Sequence, residues 1–174
     1  MRILPSLLAL AVIPSAAFAD PIDDFVGAQM ARSHIPGVAV AIVEDGKVAS
    51  VRSYGTANLE WNAPVDGDTA FQLASATKLF TGVLLMKMAE EGKLSLADPI
   101  ARFFEGAPES WSKIKVLQLA NHTSGLSEDL GKPRPQTIEG LVAASMKAPL
   151  AYEPGTEARY GFIDFIVLRA ILEK

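Results

Sequence analysis

One serine and one lysine in this chain have the residue types and the spacing of a nucleophile and its base. Ser75 and Lys78 form a Ser-x-x-Lys sequence, and residues three positions apart lie on the same face of a helix, where a hydroxyl and an amine can meet. A lysine whose pKa is lowered by burial can accept the proton of a serine that attacks a carbonyl carbon. The spacing allows acyl transfer through a serine nucleophile, but it is not specific by itself, because the chain contains three such pairs.

The surrounding residues distinguish this pair from two others with the same spacing. Those pairs are Ser110 with Lys113 and Ser112 with Lys115. They follow Pro108 in a charged, loop-like segment, where we expect solvated lysines. Lys78 shares a helical stripe with Leu85 and Ala89, on a helix that is apolar nearly all round. Ser75 lies at the predicted start of that helix, so the pattern by itself allows either a nucleophile or an ordinary N-cap serine.

The elements that must position these side chains begin with a helix and a hairpin. A surface helix is predicted over residues 22–34, before Pro36-Gly37. Residues 38–43 are a continuous apolar run, which is typical of a strand buried on both faces. Asp45-Gly46 predicts a tight turn into a second strand that ends at residue 54.

The rest of the chain is predicted to be mainly helical. The main helix covers residues 75–91 and ends at Gly92, and shorter helical segments follow within 94–104, 113–121, 137–147 and 162–174. A hairpin alone is marginally stable in water, so we expect these elements to be the first part of a larger α+β domain.

Residues 1–19 have the pattern of a secretory signal peptide. Arg2 precedes a short apolar run, Pro14 interrupts the run, and Ala17-Phe18-Ala19 has the small residues that signal peptidase requires. The run is far shorter than the roughly 20 residues that cross a bilayer. We therefore predict cleavage after Ala19, a secreted or periplasmic mature chain over residues 20–174, and no stable membrane anchor.

Composition excludes several other classes of function. The 174 residues include 16 Lys and Arg against 20 Asp and Glu, a net charge of -4 that argues against a nucleic-acid partner. The chain has no cysteine, and its two histidines lack ligand spacing. We accordingly predict no metal and no cofactor, and we expect His122 to pack or to form hydrogen bonds. Trp61 and Trp111 are predicted to pack in the interior.

The segment from Phe71 to Lys78 resembles the nucleophile segment of the serine β-lactamase and penicillin-binding protein superfamily. The resemblance is greatest to its class C-like branch, which includes esterases and D-amino-acid peptidases. Further segments agree in order: Ile35-Pro36-Gly37, Gly92-Lys93-Leu94, Leu119 to Leu126 with its His-Thr-Ser-Gly-Leu sequence, and Pro154-Gly155-Thr156 followed by Tyr160. Together these segments span residues 23–174 and are far more specific than any one of them.

The resemblance implies a role for three residues. Ser75 would be the acylated nucleophile, Lys78 would assist its deprotonation, and Tyr160 would act as a proton shuttle or base. The backbone N–H of Ser75 would be one oxyanion donor. The implied fold is the N-terminal part of the β-lactamase/transpeptidase-like α+β fold.

Two departures from the family pattern shape the functional hypothesis. Phe162 stands where the family's Tyr-x-Asn sequence has an amide, which favours an ester over a β-lactam or a peptidoglycan-like peptide. The family's later strands, with a Lys-Thr-Gly-like or His-x-Gly sequence, are not found before Lys174, so we expect this chain to be an inactive or incomplete form. The alternative is a non-catalytic remnant or a cell-wall ligand-binding module.

Overall fold

The computed structural model of this protein describes residues 20–174. The predicted signal peptide, residues 1–19, lies outside the described residues. The chain divides into two compact units, of which the first ends at Phe71 and the second is Gln72–Lys174.

The first unit contains one helix and a three-stranded antiparallel sheet. Helix α1 is Pro21–Ser33, strand β1 is Gly37–Glu44, β2 is Lys47–Asn58 and β3 is Ala63–Pro64, with strand order β1-β2-β3. The Asp20 carboxylate caps α1 by accepting the N–H of Ile22 at 2.9 Å. Asp45 and Gly46 both have positive φ, as a tight hairpin turn between right-twisted strands requires. The predicted helix and hairpin are confirmed.

Strand β1 is partly buried on one face, whereas the apolar run predicts burial on both. Val38, Val40 and Ile42 are partly buried, and the residues that alternate with them are exposed. α1 lies on the partly buried face, because Arg52 and Tyr54 on that face of β2 bind acidic side chains of the α1 N-terminus. Within residues 20–174, the prediction of two-sided burial is therefore wrong.

The second unit is helical. A 3-10 turn at Ala74–Ala76 leads into α2, Thr77–Glu90, and two more 3-10 turns lie at Ile100–Phe103 and Glu109–Lys113. Three helices follow: α3 is Val116–Ala120, α4 is Ile138–Lys147 and α5 is Ile163–Leu172. The main and final helices are thus confirmed with shorter bounds than predicted, and the helix predicted within residues 94–104 is a single 3-10 turn. None of the helices described here is long and apolar enough to cross a membrane.

The core of the second unit forms where α3 and α4 pack against α5. Its fully buried members include Trp111, Ile114, Leu119, Ile163 and Leu168. Trp111 packs as predicted, with the edge of the Phe104 ring against it at a centroid distance of 5.4 Å. The first unit's Trp61 is 80% exposed, so the prediction that it packs inside is wrong for the described residues.

Candidate active site

Ser75 lies on the 3-10 turn that precedes α2, rather than on the α-helix itself. The residue before it, Ala74, has φ +45°, a left-handed conformation that costs about 1–3 kcal/mol for a residue with a β-carbon. The Ser75 side chain does not cap the helix; its hydroxyl contacts another side chain. The geometry therefore disfavours the N-cap interpretation of Ser75.

The structure brings together the three residues that the sequence proposed for the site. Ser75 Oγ is 2.5 Å from the Tyr160 hydroxyl oxygen, a hydrogen bond in which either group can donate. Lys78 Nζ donates to Ser75 Oγ at 3.4 Å. Tyr160 comes from the segment before α5, 85 positions after Ser75, so this contact depends on how α5 packs near the start of α2.

Two aromatic rings flank the amino group of Lys78. Its Nζ is 4.9 Å from the centroid of the Tyr160 ring and 5.0 Å from that of Phe165, within the range of cation–π attraction. The side chain is half-buried. The apolar surroundings that the sequence predicted for Lys78 are present, and residues near and on α5 supply part of them.

The pKa of the Tyr160 hydroxyl is lowered by its neighbours in the site. The amino group of Lys78, and then the hydrogen bond with Ser75, lower the pKa of Tyr160 below its ordinary value of 10.0, while desolvation acts in the opposite direction. A lowered pKa increases the fraction of Tyr160 that is phenolate, and the phenolate is the form that can accept the proton of the neighbouring serine hydroxyl. This arrangement can generate a serine alkoxide.

The two other Ser-x-x-Lys pairs form no comparable site. Lys113 and Lys115 are exposed. Within residues 20–174, no hydrogen bond joins Ser110 to Lys113 or Ser112 to Lys115. Of the three pairs, Ser75 and Lys78 are the one whose side chains are joined by a hydrogen bond in the part of the chain that the structure describes, and their role in chemistry stays a prediction.

A largely buried polar cluster contacts the ring of Tyr160 through His122. His122 Nδ1 is 3.0 Å from Asp164 Oδ2, the Ser124 hydroxyl donates to the other oxygen of Asp164, and the His122 ring lies 4.7 Å from that of Tyr160. Hydrogen bonding by His122 was predicted, but the part played by Asp164 was missed. A signal was available, because Asp164 is the single charged residue in an apolar run from Phe162 to Leu168.

Phe162 occupies the position two residues after Tyr160. Its ring is half exposed, and the Arg134 guanidinium lies 5.2 Å from its centroid. Phe162 and Lys78 both line an apolar groove of about 350 Å³ between α2 and α5. The side chain therefore gives that groove an aromatic surface where an asparagine would give an amide.

Acidic and histidine side chains do not gather into a metal-binding group in the part of the chain that the structure describes. No three of them are close enough to hold a metal ion there. The polar groups of the site are those of Ser75, Lys78 and Tyr160.

Comparison with known proteins relates this geometry to a family. The β-lactamase family model matches residues 22–174. Protein flp of Staphylococcus aureus (strain COL) is 29% identical over 164 residues, which cover 87% of this chain and 32% of flp. A β-lactamase of Providencia stuartii is 33% identical over 124 residues, which cover 69% of this chain and 32% of that protein.

The fold is shared with solved structures as well. A β-lactamase/D-alanine carboxypeptidase from Pseudomonas syringae aligns with a TM-score of 0.75 and 27% identity, over 87% of this chain and 42% of that one. The chain spans about a third of the length of the two relatives and less than half of the solved chain. The predicted resemblance and the mixed α/β fold class are confirmed, and this chain belongs to the β-lactamase family.

Proposed function

We propose that this chain carries the acylation machinery of a secreted serine hydrolase, with Ser75 as the nucleophile. The observation that carries the proposal is the 2.5 Å contact between Ser75 Oγ and the Tyr160 hydroxyl, with Lys78 Nζ 3.4 Å from the same Oγ. Secretion rests on the signal-peptide pattern of residues 1–19. N-terminal sequencing of the exported chain, expected to begin at Asp20, tests that part.

The proposed reaction is acyl transfer in two steps. Ser75 Oγ attacks a carbonyl carbon while its proton passes to the Tyr160 phenolate, and the bond from that carbon to the leaving group breaks as Tyr160 returns the proton to the leaving group. Water then attacks the carbonyl carbon of the acyl-enzyme while its proton passes to Tyr160. The bond from that carbon to Ser75 Oγ breaks, Tyr160 returns the proton to Oγ, and the acid is released. Lys78 contributes its positive charge, which stabilises the phenolate, so Tyr160 rather than Lys78 is the immediate base.

The oxyanion that forms during attack needs a donor near the nucleophile. The backbone N–H of Ser75 lies on the first turn before α2, where N–H groups lack partners within the helix. Such groups favour developing negative charge. We assign the Ser75 N–H as one donor to the oxyanion.

An ester is the proposed substrate. An amide substrate offers an N–H and a carbonyl that gain from a polar partner, whereas Phe162 offers an aromatic face in the groove that Lys78 also lines. A short acyl or alkyl group suits that face, and an ester has no N–H to leave unpaired. The names of the Providencia stuartii and Pseudomonas syringae relatives point instead to β-lactams or D-alanine peptides, and these are the competing substrates.

The test is covalent labelling of the purified chain with a fluorophosphonate, followed by peptide mass spectrometry. We expect modification at Ser75, loss of labelling in Ser75→Ala, and full labelling in the matched control Ser112→Ala. Hydrolysis of p-nitrophenyl butyrate faster than that of a chromogenic cephalosporin would support the ester. Labelling at Ser75 without hydrolysis would agree with the incomplete form that the sequence predicts. A folded chain that neither labels nor hydrolyses would overturn the hydrolase proposal and favour the non-catalytic, ligand-binding alternative.

A further inference from the structure

His122 contacts Tyr160 and both of its neighbours in the chain. The Arg159 N–H donates to the His122 carbonyl at 3.0 Å, and the Gly161 N–H lies 3.4 Å from His122 Nδ1. Between these two contacts, the His122 ring lies against the Tyr160 ring at 4.7 Å with a tilt of 49°. The residue thus holds the backbone before Tyr160 through its carbonyl and also contacts the Tyr160 side chain.

His122 is in turn held on several sides. Its backbone has φ +61°, and its carbonyl also accepts the Tyr152 hydroxyl at 3.2 Å. The Phe165 ring lies 5.2 Å from the imidazole. The imidazole therefore has little freedom to rotate, and the Tyr160 ring that packs against it is held in a defined position.

Asp164 sets the orientation of the imidazole. The residue is 4% exposed, and one carboxylate oxygen accepts the Ser124 hydroxyl while the other lies 3.0 Å from His122 Nδ1. Ser124 Oγ accepts the N–H of Leu126 at 2.9 Å, which leaves its hydroxyl proton for Asp164. Because a single nitrogen cannot donate and accept at once, the shorter contact assigns Nδ1–H as the donor to Asp164.

We propose that His122, oriented by Asp164, is a positioning residue that directs the Tyr160 hydroxyl at Ser75. The inference rests on the proposed function, since it concerns how the base of that reaction is held. Tyr160 is 67% exposed, so few contacts with the protein interior restrain its ring apart from the one with His122. Without the imidazole, the ring can turn to other rotamers and the 2.5 Å contact with Ser75 is lost for much of the time.

The first test replaces His122 with asparagine, which keeps a short hydrogen-bonding group and tolerates positive φ but has no ring. His34 provides a matched control, because it is the chain's other histidine and also has positive φ, 52°. We expect His122→Asn to lower kcat by about 10- to 100-fold, part of the 10²–10⁴ that a placed base supplies. KM should be unchanged, and His34→Asn should leave kcat and KM unaltered.

A double-mutant cycle separates positioning from general damage to the fold. If His122 acts through Tyr160, His122→Asn should change kcat by less than about twofold in a Tyr160→Phe background. A loss of the same size in both backgrounds would overturn the proposal. So would a wild-type kcat in His122→Asn.

A structural measurement keeps the inference testable if the chain proves inactive. In that outcome the proposed function fails, but a crystal structure of His122→Asn still shows whether the Tyr160 hydroxyl leaves Ser75. Nitrogen-15 NMR should find the Nδ1–H tautomer of His122 in the wild type and the Nε2–H tautomer in Asp164→Asn, whose amide donates to Nδ1. Tyr160 in its wild-type place in His122→Asn, or the Nε2–H tautomer in the wild type, would contradict the inference.

Discussion

In the proposed reaction, the chemistry of the site depends on the proton of Tyr160. Tyr160 is largely exposed, yet its hydroxyl contacts Ser75 and its ring lies beside the Lys78 amino group. The charge of Lys78 and the Ser75 hydrogen bond lower the pKa of this hydroxyl, so the phenolate is available at lower pH than for a free tyrosine. The division of work that follows has Tyr160 as the base and Lys78 as its electrostatic partner.

This division predicts the pH dependence of a Lys78→Met variant. A base acts in its deprotonated form, so the labelling rate should rise with pH through the Tyr160 pKa. Removal of Lys78 takes away the largest cause of the lowered pKa, and the rising limb should therefore move to higher pH. The measurement is the rate of fluorophosphonate labelling between about pH 6 and 11, over which free tyrosine titrates near 10. Tyr160→Phe should lose the limb altogether, and an unshifted limb in Lys78→Met would contradict the assignment.

Replacement of Phe162 by asparagine, which restores the family's amide at this position, should shift the substrate preference. Phe162→Asn places a donor and an acceptor in the groove that Lys78 also lines, so amide substrates should gain relative to esters. A hydrogen bond made to one substrate class and not the other is worth about tenfold or more in selectivity. The ratio of p-nitrophenyl butyrate to cephalosporin hydrolysis should fall by that factor. Phe25→Asn, at an exposed phenylalanine of α1, is the control and should leave the ratio unchanged.

At the scale of elements, short polar contacts join α1 to β2. Arg52 binds Asp20 at 2.7 Å and Asp23 at 2.9 Å, and the Tyr54 hydroxyl donates to Asp23 at 2.6 Å. Arg52 and then the Ile22 N–H lower the pKa of Asp20, and Tyr54 followed by Arg52 lowers that of Asp23. These carboxylates favour the folded first unit while they are ionised.

The lowered pKa values predict how the first unit responds to acid. The stabilisation is present above the ordinary aspartate pKa of 3.8 and is lost as the pH falls through the lower folded-state values. The urea midpoint of the first unit, followed by NMR signals of β1 and β2, should therefore decrease as the pH falls below about 4. Arg52→Gln should lower the midpoint at pH 5 and weaken this decrease, whereas Arg32→Gln should do neither. An equally steep decrease in Arg52→Gln would exclude the Arg52 contacts as its cause.

At the scale of the whole molecule, the site belongs to a single compact unit. Ser75, Lys78, His122, Tyr160 and Asp164 all lie within Gln72–Lys174. The same helix that provides Asp164 also provides much of the unit's core, including Ile163 and Leu168. The stability of this core and the geometry of the site therefore depend on the same packing of α5.

A cavity at Leu168 should show how much the stability of the second unit depends on the packing of α5. Leu168 is fully buried, and Leu168→Ala should lower the free energy of unfolding of the second unit by about 2–5 kcal/mol, through lost burial and the cavity left behind. The fluorescence of buried Trp111 reports this unfolding in a Trp61→Phe background. Leu59→Ala, at a residue that is 73% exposed, should cost no more than about 0.5 kcal/mol. A loss below about 1 kcal/mol in Leu168→Ala would show that α5 is not central to this core.

Local patterns in the sequence determined the features that depend on neighbours in the chain. Asp45-Gly46 specified the hairpin turn, the apolar spacing specified α2 and α5, and Ser75 with Lys78 specified one candidate pair. These succeed because turn conformation and helical periodicity are set by residues a few positions apart. The resemblance to the β-lactamase family rests on several such local segments in order.

Contacts between groups that lie far apart in the chain follow from the tertiary packing and not from local sequence. The contact of Ser75 with Tyr160 joins residues 85 positions apart, and that of His122 with Asp164 joins residues 42 positions apart. The family resemblance named Tyr160, but neither the two contacts nor the strained φ of Ala74 follows from local spacing. The burial of β1 likewise differed from its apolar pattern, since a side chain is buried only by what packs on it. Packing of α5 near the start of α2 sets the distances at the site, and no pattern of adjacent residues encodes that packing.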